Sequence, residues 1–222
     1  MSPVSPKRVY LFAHPDAGGE YVWSIAAEAE LSPDGMLGCR YALRGDMARL
    51  RLPRAGGGRR ADGLWRHTCF EAFVAVADTT NYYEFNFSPA LDWAAYRFED
   101  YRTGMTVAAL PRAPGLQVRR DSDGLELAAT VPLAGLAPLA AARELHLALA
   151  AVVEEESGRL AYWALRHPPG NPDFHHPESF TLELRPACTA SRAEAARSRA
   201  PAAAPRACIP ASARTSGRIT LR

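Results

Sequence analysis

Along most of this chain large and polar side chains alternate with a period of two, and turn-forming residues break the pattern every 8 to 15 residues. That period constrains the fold more than any other feature. Successive side chains of a strand point to opposite faces, whereas a helix repeats its face every 3.6 residues. Residues 21–31, "YVWSIAAEAEL", read as a strand that turns at "SPDG" and returns as 36–45, with a further short strand predicted over 47–52. The proline presets φ and the glycine permits the left-handed position that such a turn needs. After a glycine-rich polar connector, 53–63, strands are predicted over 68–76, 82–88, 93–101, 115–120, 124–131, 144–155, 159–167 and 179–184, with a short helical crossover at 132–141. About ten strands and little helix imply an all-β chain, an antiparallel β-sandwich of jelly-roll or immunoglobulin-like type.

The chain has 222 residues, 48% of them hydrophobic, which is enough for one full core. Its charge is unevenly placed. Residues 186–222 hold seven arginines against one acidic residue, Glu194, a net +6 in a chain whose total is +2, so residues 1–185 carry −4. The expected division is therefore a sandwich over 1–185 and an Ala/Arg/Pro/Ser-rich tail over 186–222. The tail has no aromatic residue and cannot bury enough apolar area to offset its ordering entropy, so disorder is expected there. A mildly acidic body does not point to nucleic acid. No stretch has the roughly 18 apolar residues of a membrane helix, and the N-terminal sequence is not of secretory type, so a cytoplasmic protein without a membrane partner is expected. Cys39, Cys69, Cys188 and Cys208 have no metal-type spacing.

Residues 64–105, "LWRHTCFEAFVAVADTTNYYEFNFSPALDWAAYRFEDYRTGM", carry eleven of the chain's twenty aromatic side chains, and two strands meet there across a short loop. Glu71 lies on one parity of its strand, while Glu84 and Asn86 share a parity of the next. One register sets Glu71 beside Asn86 and Glu84; a slip of one residue sets it beside Phe87. In the first register two carboxylates and an amide form a polar row suited to vicinal hydroxyls, and Trp65, Tyr82 or Trp93 could stack on the apolar face of a sugar. The bland alternative is that alternation alone places these polar groups on a solvated face. Trp65, Phe70, Phe85, Phe87, Trp93, Tyr96 and Phe98 are nevertheless expected mostly in the core, Trp65 being the better ligand candidate because it follows a glycine-rich loop.

The loop "HPPGNPDFHHPE" collects His167, Asp173, His175 and His176. Its spacing matches no zinc signature, and the expectation is that these side chains chiefly bond loop backbone, with ligand contact as the second role. Nucleophilic catalysis finds no motif: there is no G-x-S-x-G elbow and no phosphate-cradling loop. A glycosidase pair of Glu71 and Glu84 would need burial to separate their acidities, and the sequence does not indicate it.

The order of "W-x-x-T-C-F-E-x-F", "E-F-N-x-S-P" and "H-P-P-G-x-P-D-F-H" across residues 8–185 resembles the bacterial DOMON-like proteins, which are similar in turn to the family-9 carbohydrate-binding modules. The resemblance implies a β-sandwich that binds a small ligand without catalysis and without a cofactor. For a saccharide or related polar ligand, it implies Trp65, Glu71 and Asn86 as binding residues; the strand and loop patterns above add Glu84, Trp93, His167, Asp173 and His175 as candidates. For haem, the alternative, it implies axial ligation by Met105 and His175 or His167. A protein-interaction module is the third class.

Overall fold

Strand β1 (Lys7–Ala13) changes partner part-way along its length, and that change sets the architecture of the computed structural model, which describes residues 7–54 and 56–186. Lys7 to Leu11 pair with β2 (Val22–Leu31), whereas Phe12 and Ala13 pair with β11 (Leu160–Ala164). One hydrogen-bonded path therefore runs through two packed layers. The first layer continues from β2 to β3 (Met36–Gly45), β9 (Gly124–Pro132) and β8 (Gly115–Arg120). The second runs from β11 to β10 (Leu145–Glu154), β4 (Cys69–Ala75), β5 (Tyr82–Phe87), β6 (Trp93–Phe98) and β7 (Thr106–Val107). Strand β12 (Leu182–Leu184) extends that layer beside Leu145–Leu147 of β10. All pairings of these strands are antiparallel, as short turns between consecutive strands favour.

The layers meet over one apolar core. Ile25, Leu37, Tyr41, Leu43, Leu125 and Leu127 face Phe70, Phe85, Phe87, Leu147 and Leu149. The Tyr41 hydroxyl crosses the core to donate to the Glu71 carbonyl at 2.7 Å, which satisfies its buried polar tip. The all-β sandwich expected from the alternation is what the chain forms, and the hairpins predicted at "SPDG", "ADTTN", "DSDG" and "ESG" are present in register.

Two local expectations change. The strand predicted over 47–52 is instead a 3-10 turn, Met47–Arg49, started by Asp46, whose carboxylate accepts from the Ala48 amide at 3.2 Å. The crossover predicted at 132–141 shortens to the 3-10 turn Leu139–Ala141. Strands β1 and β7 were not anticipated. The tail predicted from 186 onward lies outside the described residues apart from Pro186. Among the described residues, no helix is long and apolar enough to cross a membrane.

The second layer is buried on both faces. Residues 69–74 of β4 and every residue of β5 are buried. Phe70, Ala72 and Val74 point to the core between the layers, while Phe73, Tyr82, Tyr96, Phe98, Ala148, Ala150 and Val152 form a separate cluster on the outer face with Phe174 of the 165–181 loop. Polar residues on this outer face are therefore not simply solvated.

Candidate functional site

The register around Glu71 settles the question the sequence leaves open. Across the outer face of the second layer, Ala150, Glu71, Asn86 and Ala94 stand opposite one another on β10, β4, β5 and β6. The neighbouring row is Ala148, Phe73, Glu84 and Tyr96. Small alanines at both ends of the first row leave a dip, and Glu71 and Glu84 form its floor. Above it opens a cavity of about 550 Å³. Its walls come from three separate loops and the edges of the sheet: Asp62, Trp65 and Arg66 on one side, Arg102 and Met105 on another, and Phe174 and His175 with Tyr162 beyond.

Trp65 reaches the rim because a 3-10 turn, Leu64–Arg66, presents it. Gly63 leads into that turn at φ 72°, a left-handed backbone that residues with a Cβ adopt only under strain. The indole is 48% exposed and carries the Arg66 guanidinium 5.3 Å from its ring centre. Next to it Asp62 is held by Arg60 at 2.6 Å and accepts the Tyr96 hydroxyl at 2.6 Å.

The floor is electrostatically tense. Glu71 is only 3% exposed, and one of its carboxylate oxygens has no hydrogen-bond partner. Burial, and then the charge of Glu84, push the Glu71 carboxyl well above the ordinary carboxylate range. Glu84, 5% exposed, is also raised by burial, although the Asn86 amide donating to it at 2.5 Å favours its ionised form. The pair therefore resists carrying two negative charges at once. The burial that the sequence does not indicate for these two carboxyls is present.

His175 closes one wall. The Tyr82 hydroxyl accepts from the Arg102 amide at 3.1 Å and is hydrogen-bonded to His175 Nδ1 at 2.8 Å, while Nε2 of the same ring stands 3.8 Å from Glu84. Burial pushes the His175 pKa down to about 4, so the ring is neutral near pH 7. Asp173 ties the wall together. It accepts from Arg102 at 2.7 Å and from the His175 amide at 3.0 Å, and it also binds the Tyr101 hydroxyl. Burial opposes its ionisation, but the hydrogen bonds from Tyr101 and Arg102 outweigh burial and hold its carboxyl below the ordinary value.

Of the side chains singled out from sequence, Trp65, Glu71, Glu84, His175 and Met105 line the cavity. Asn86 lies fully buried behind Glu84, and Asp173 acts through Arg102 and His175. Two are elsewhere. Trp93 shares the inward parity of Ala95 and packs on the core between the layers, its indole N–H buried without a partner. His167 donates from Nε2 to the Phe12 carbonyl at 2.8 Å and meets His14 edge-on, structural roles that keep it out of the cavity lining. Tyr82 is buried and supports His175. Tyr96 and Phe98, expected in the core, belong to the outer cluster and line the cavity, as do Asp62, Arg66, Arg102, Tyr162 and Phe174.

Neither a protein-family model nor a curated protein sequence matches the chain. Solved structures do. A protein from Bacteroides uniformis ATCC 8492, to which carbohydrate binding has been ascribed, superposes with a TM-score of 0.60 at 13% identity, over 81% of this chain and 86% of that one. A family-9 carbohydrate-binding module from Caldicellulosiruptor kristjanssonii, solved with cellotriose, superposes with a TM-score of 0.52 at 12% identity, over 85% and 86% of the two chains. At these identities the likeness is one of architecture. The chain folds as a β-sandwich similar to that of family-9 carbohydrate-binding modules.

Proposed function

We propose that the cavity on the outer face of the second layer is a carbohydrate-binding site and that the protein is a non-catalytic binding module. The observation that carries this reading is Glu71: a buried carboxylate with an unpartnered oxygen, at the floor of an open cavity whose rim is an exposed tryptophan. Leaving a buried acceptor unpaired is costly, so a site that retains one is built to receive a donor. Sugar hydroxyls are such donors, and the Trp65 ring offers a flat apolar surface for the C–H face of a pyranose. The similar architecture of a module solved with cellotriose supports the same ligand class.

Binding is favoured over glycoside hydrolysis by the architecture shared with a carbohydrate-binding module solved with cellotriose. The haem alternative gains nothing from the geometry. His175 Nε2 faces Glu84, and the ring is enclosed by Phe73, Phe98 and Tyr82 at centroid distances of 4.9, 5.1 and 5.8 Å. Iron at Nε2 would have to displace the carboxylate. The finer, DOMON-like assignment rests on motif order alone.

Titration calorimetry against a panel of mono- and oligosaccharides tests the proposal. Binding that disappears in Glu71→Ala and weakens in Trp65→Ala, with circular dichroism unchanged, is the expected result. Affinity unaltered by both substitutions would move the site elsewhere, and release of reducing ends from oligosaccharides would overturn the non-catalytic assignment.

A further inference from the structure

Of the charged side chains that line the cavity, Asp62 and Arg102 are paired, Arg66 lies over the Trp65 ring at the rim, and the two floor glutamates have no cation beside them. Asp62 has Arg60 at 2.6 Å. Arg102 lies close enough to favour ionisation of both glutamates, but its guanidinium is committed to Asp173, through Nε at 3.2 Å and Nη2 at 2.7 Å. His175 presents a neutral ring edge to Glu84. Glu71 and Glu84 thus share one buried floor with no cation of their own, and one buried oxygen of Glu71 has no hydrogen-bond partner. The same cavity is lined by five aromatic side chains, Trp65, Tyr96, Phe98, Tyr162 and Phe174. Carboxylates and rings are the two kinds of group that attract an ammonium ion in a partly dry site.

We propose that the saccharide taken by this site is an amino sugar, its ammonium group seated on the Glu71 and Glu84 carboxylates at the floor. The inference rests on the carbohydrate reading above and narrows it. A hydroxyl brings one hydrogen and no charge, so it can serve one glutamate while the two continue to repel. An ammonium brings three hydrogens and a positive charge. It can donate to the Glu71 carboxylate, one oxygen of which has no partner, and to Glu84 Oε2, which stands 3.8 Å from His175 Nε2. Asn86 keeps Glu84 in place from behind with its bond of 2.5 Å to the other oxygen. Seating the ammonium lets both carboxyls ionise, so a proton held by the pair passes to solvent as the ligand binds. A divalent cation is the poorer occupant. Among the described residues, the three-residue set whose ligand atoms lie mutually within 4.8 Å is Glu144, His146 and Glu183, not Glu71, Glu84 and His175.

The test compares glucosamine, glucose and N-acetylglucosamine by calorimetry on the full chain. It is run at about pH 6.5, where an amine of this kind keeps its proton, in buffers of different ionisation enthalpy. Glucosamine is expected to bind about tenfold tighter than either neutral sugar, because charge-assisted hydrogen bonds are roughly twice as strong as neutral ones. Its observed heat should change with the buffer, reporting proton release. Glu71→Gln, which keeps the shape, should bring the glucosamine-to-glucose ratio close to one. Equal binding of glucosamine and glucose without a buffer effect, or binding of a neutral saccharide alone, overturns the amino-sugar inference and leaves the carbohydrate reading standing. If no saccharide of any kind binds, both fall.

Discussion

Replacing Glu71 with glutamine should stabilise the protein, and the gain should depend on pH with a definite sign. The native carboxyl is raised by burial and by Glu84, so between the ordinary glutamate pKa and its raised native value the folded state binds more protons than the unfolded state. Stability from this group is therefore fully present below about pH 4, the unfolded value, and is lost as pH climbs toward the native one. Glutamine has no such loss. An unsatisfied buried polar group costs about 1–3 kcal/mol, and glutamine's amide hydrogens can reach the Glu84 carboxylate, so a gain of about 1–2 kcal/mol near pH 8 is expected. For a domain of this size 1 kcal/mol moves Tm by about 2–4 °C, which gives a rise of about 2–8 °C near pH 8 and almost none near pH 4. Calorimetric or fluorescence melting of both proteins across that range measures it. An equal change at both pH values, or a lower Tm for the variant near pH 8, would refute the claim that this carboxylate is buried against its own charge.

Three further outcomes follow from the same geometry. Trp65→Ala should weaken saccharide binding by about tenfold, the 1.4 kcal/mol scale of a lost stacking contact, while Tm hardly moves because the ring is 48% exposed. His175 has the opposite linkage to Glu71: its native pKa is depressed to about 4, so stability falls as pH drops from about 6.5 toward that value. His175→Phe should flatten that slope in urea titrations, and a slope that survives would assign it to another group. Asp173→Asn should cost about 1–3 kcal/mol near neutrality by loosening Arg102, Tyr101 and the His175 amide together. That cost should shrink as pH falls below about 4, the ordinary aspartate value, and the two proteins should converge in urea titrations only below the depressed native value.

The parts of this molecule that were legible in the sequence are those written with a period of two. Glu71 beside Asn86 and Glu84 follows from counting parity along two strands joined by a short loop. The same counting places Trp93 inward with Phe87 and Ala95, a consequence the sequence carries but that its aromatic character obscures. Strand β1 escapes notice for a related reason. Tyr10 and Phe12 are exposed, so both parities of "KRVYLFA" are apolar and no alternation shows. Arg102, Asp62 and Phe174 reach the cavity from loops far apart in the chain, and no local pattern announces which loops will converge. The depth at which Glu71 sits depends on the 165–181 loop covering the outer face, which is likewise a property of the assembled fold.

Because β1 divides its seven residues between the two layers, the two ends of the described chain should respond differently to pulling. Load applied ahead of Lys7 acts on the strand that joins β2 to β11, so peeling it uncouples the sandwich as a whole. Load applied beyond Leu184 first strips β12, three residues held along β10, and leaves the cavity intact. A surface tether or fusion intended to keep the site working under tension is therefore better attached after β12 than before β1.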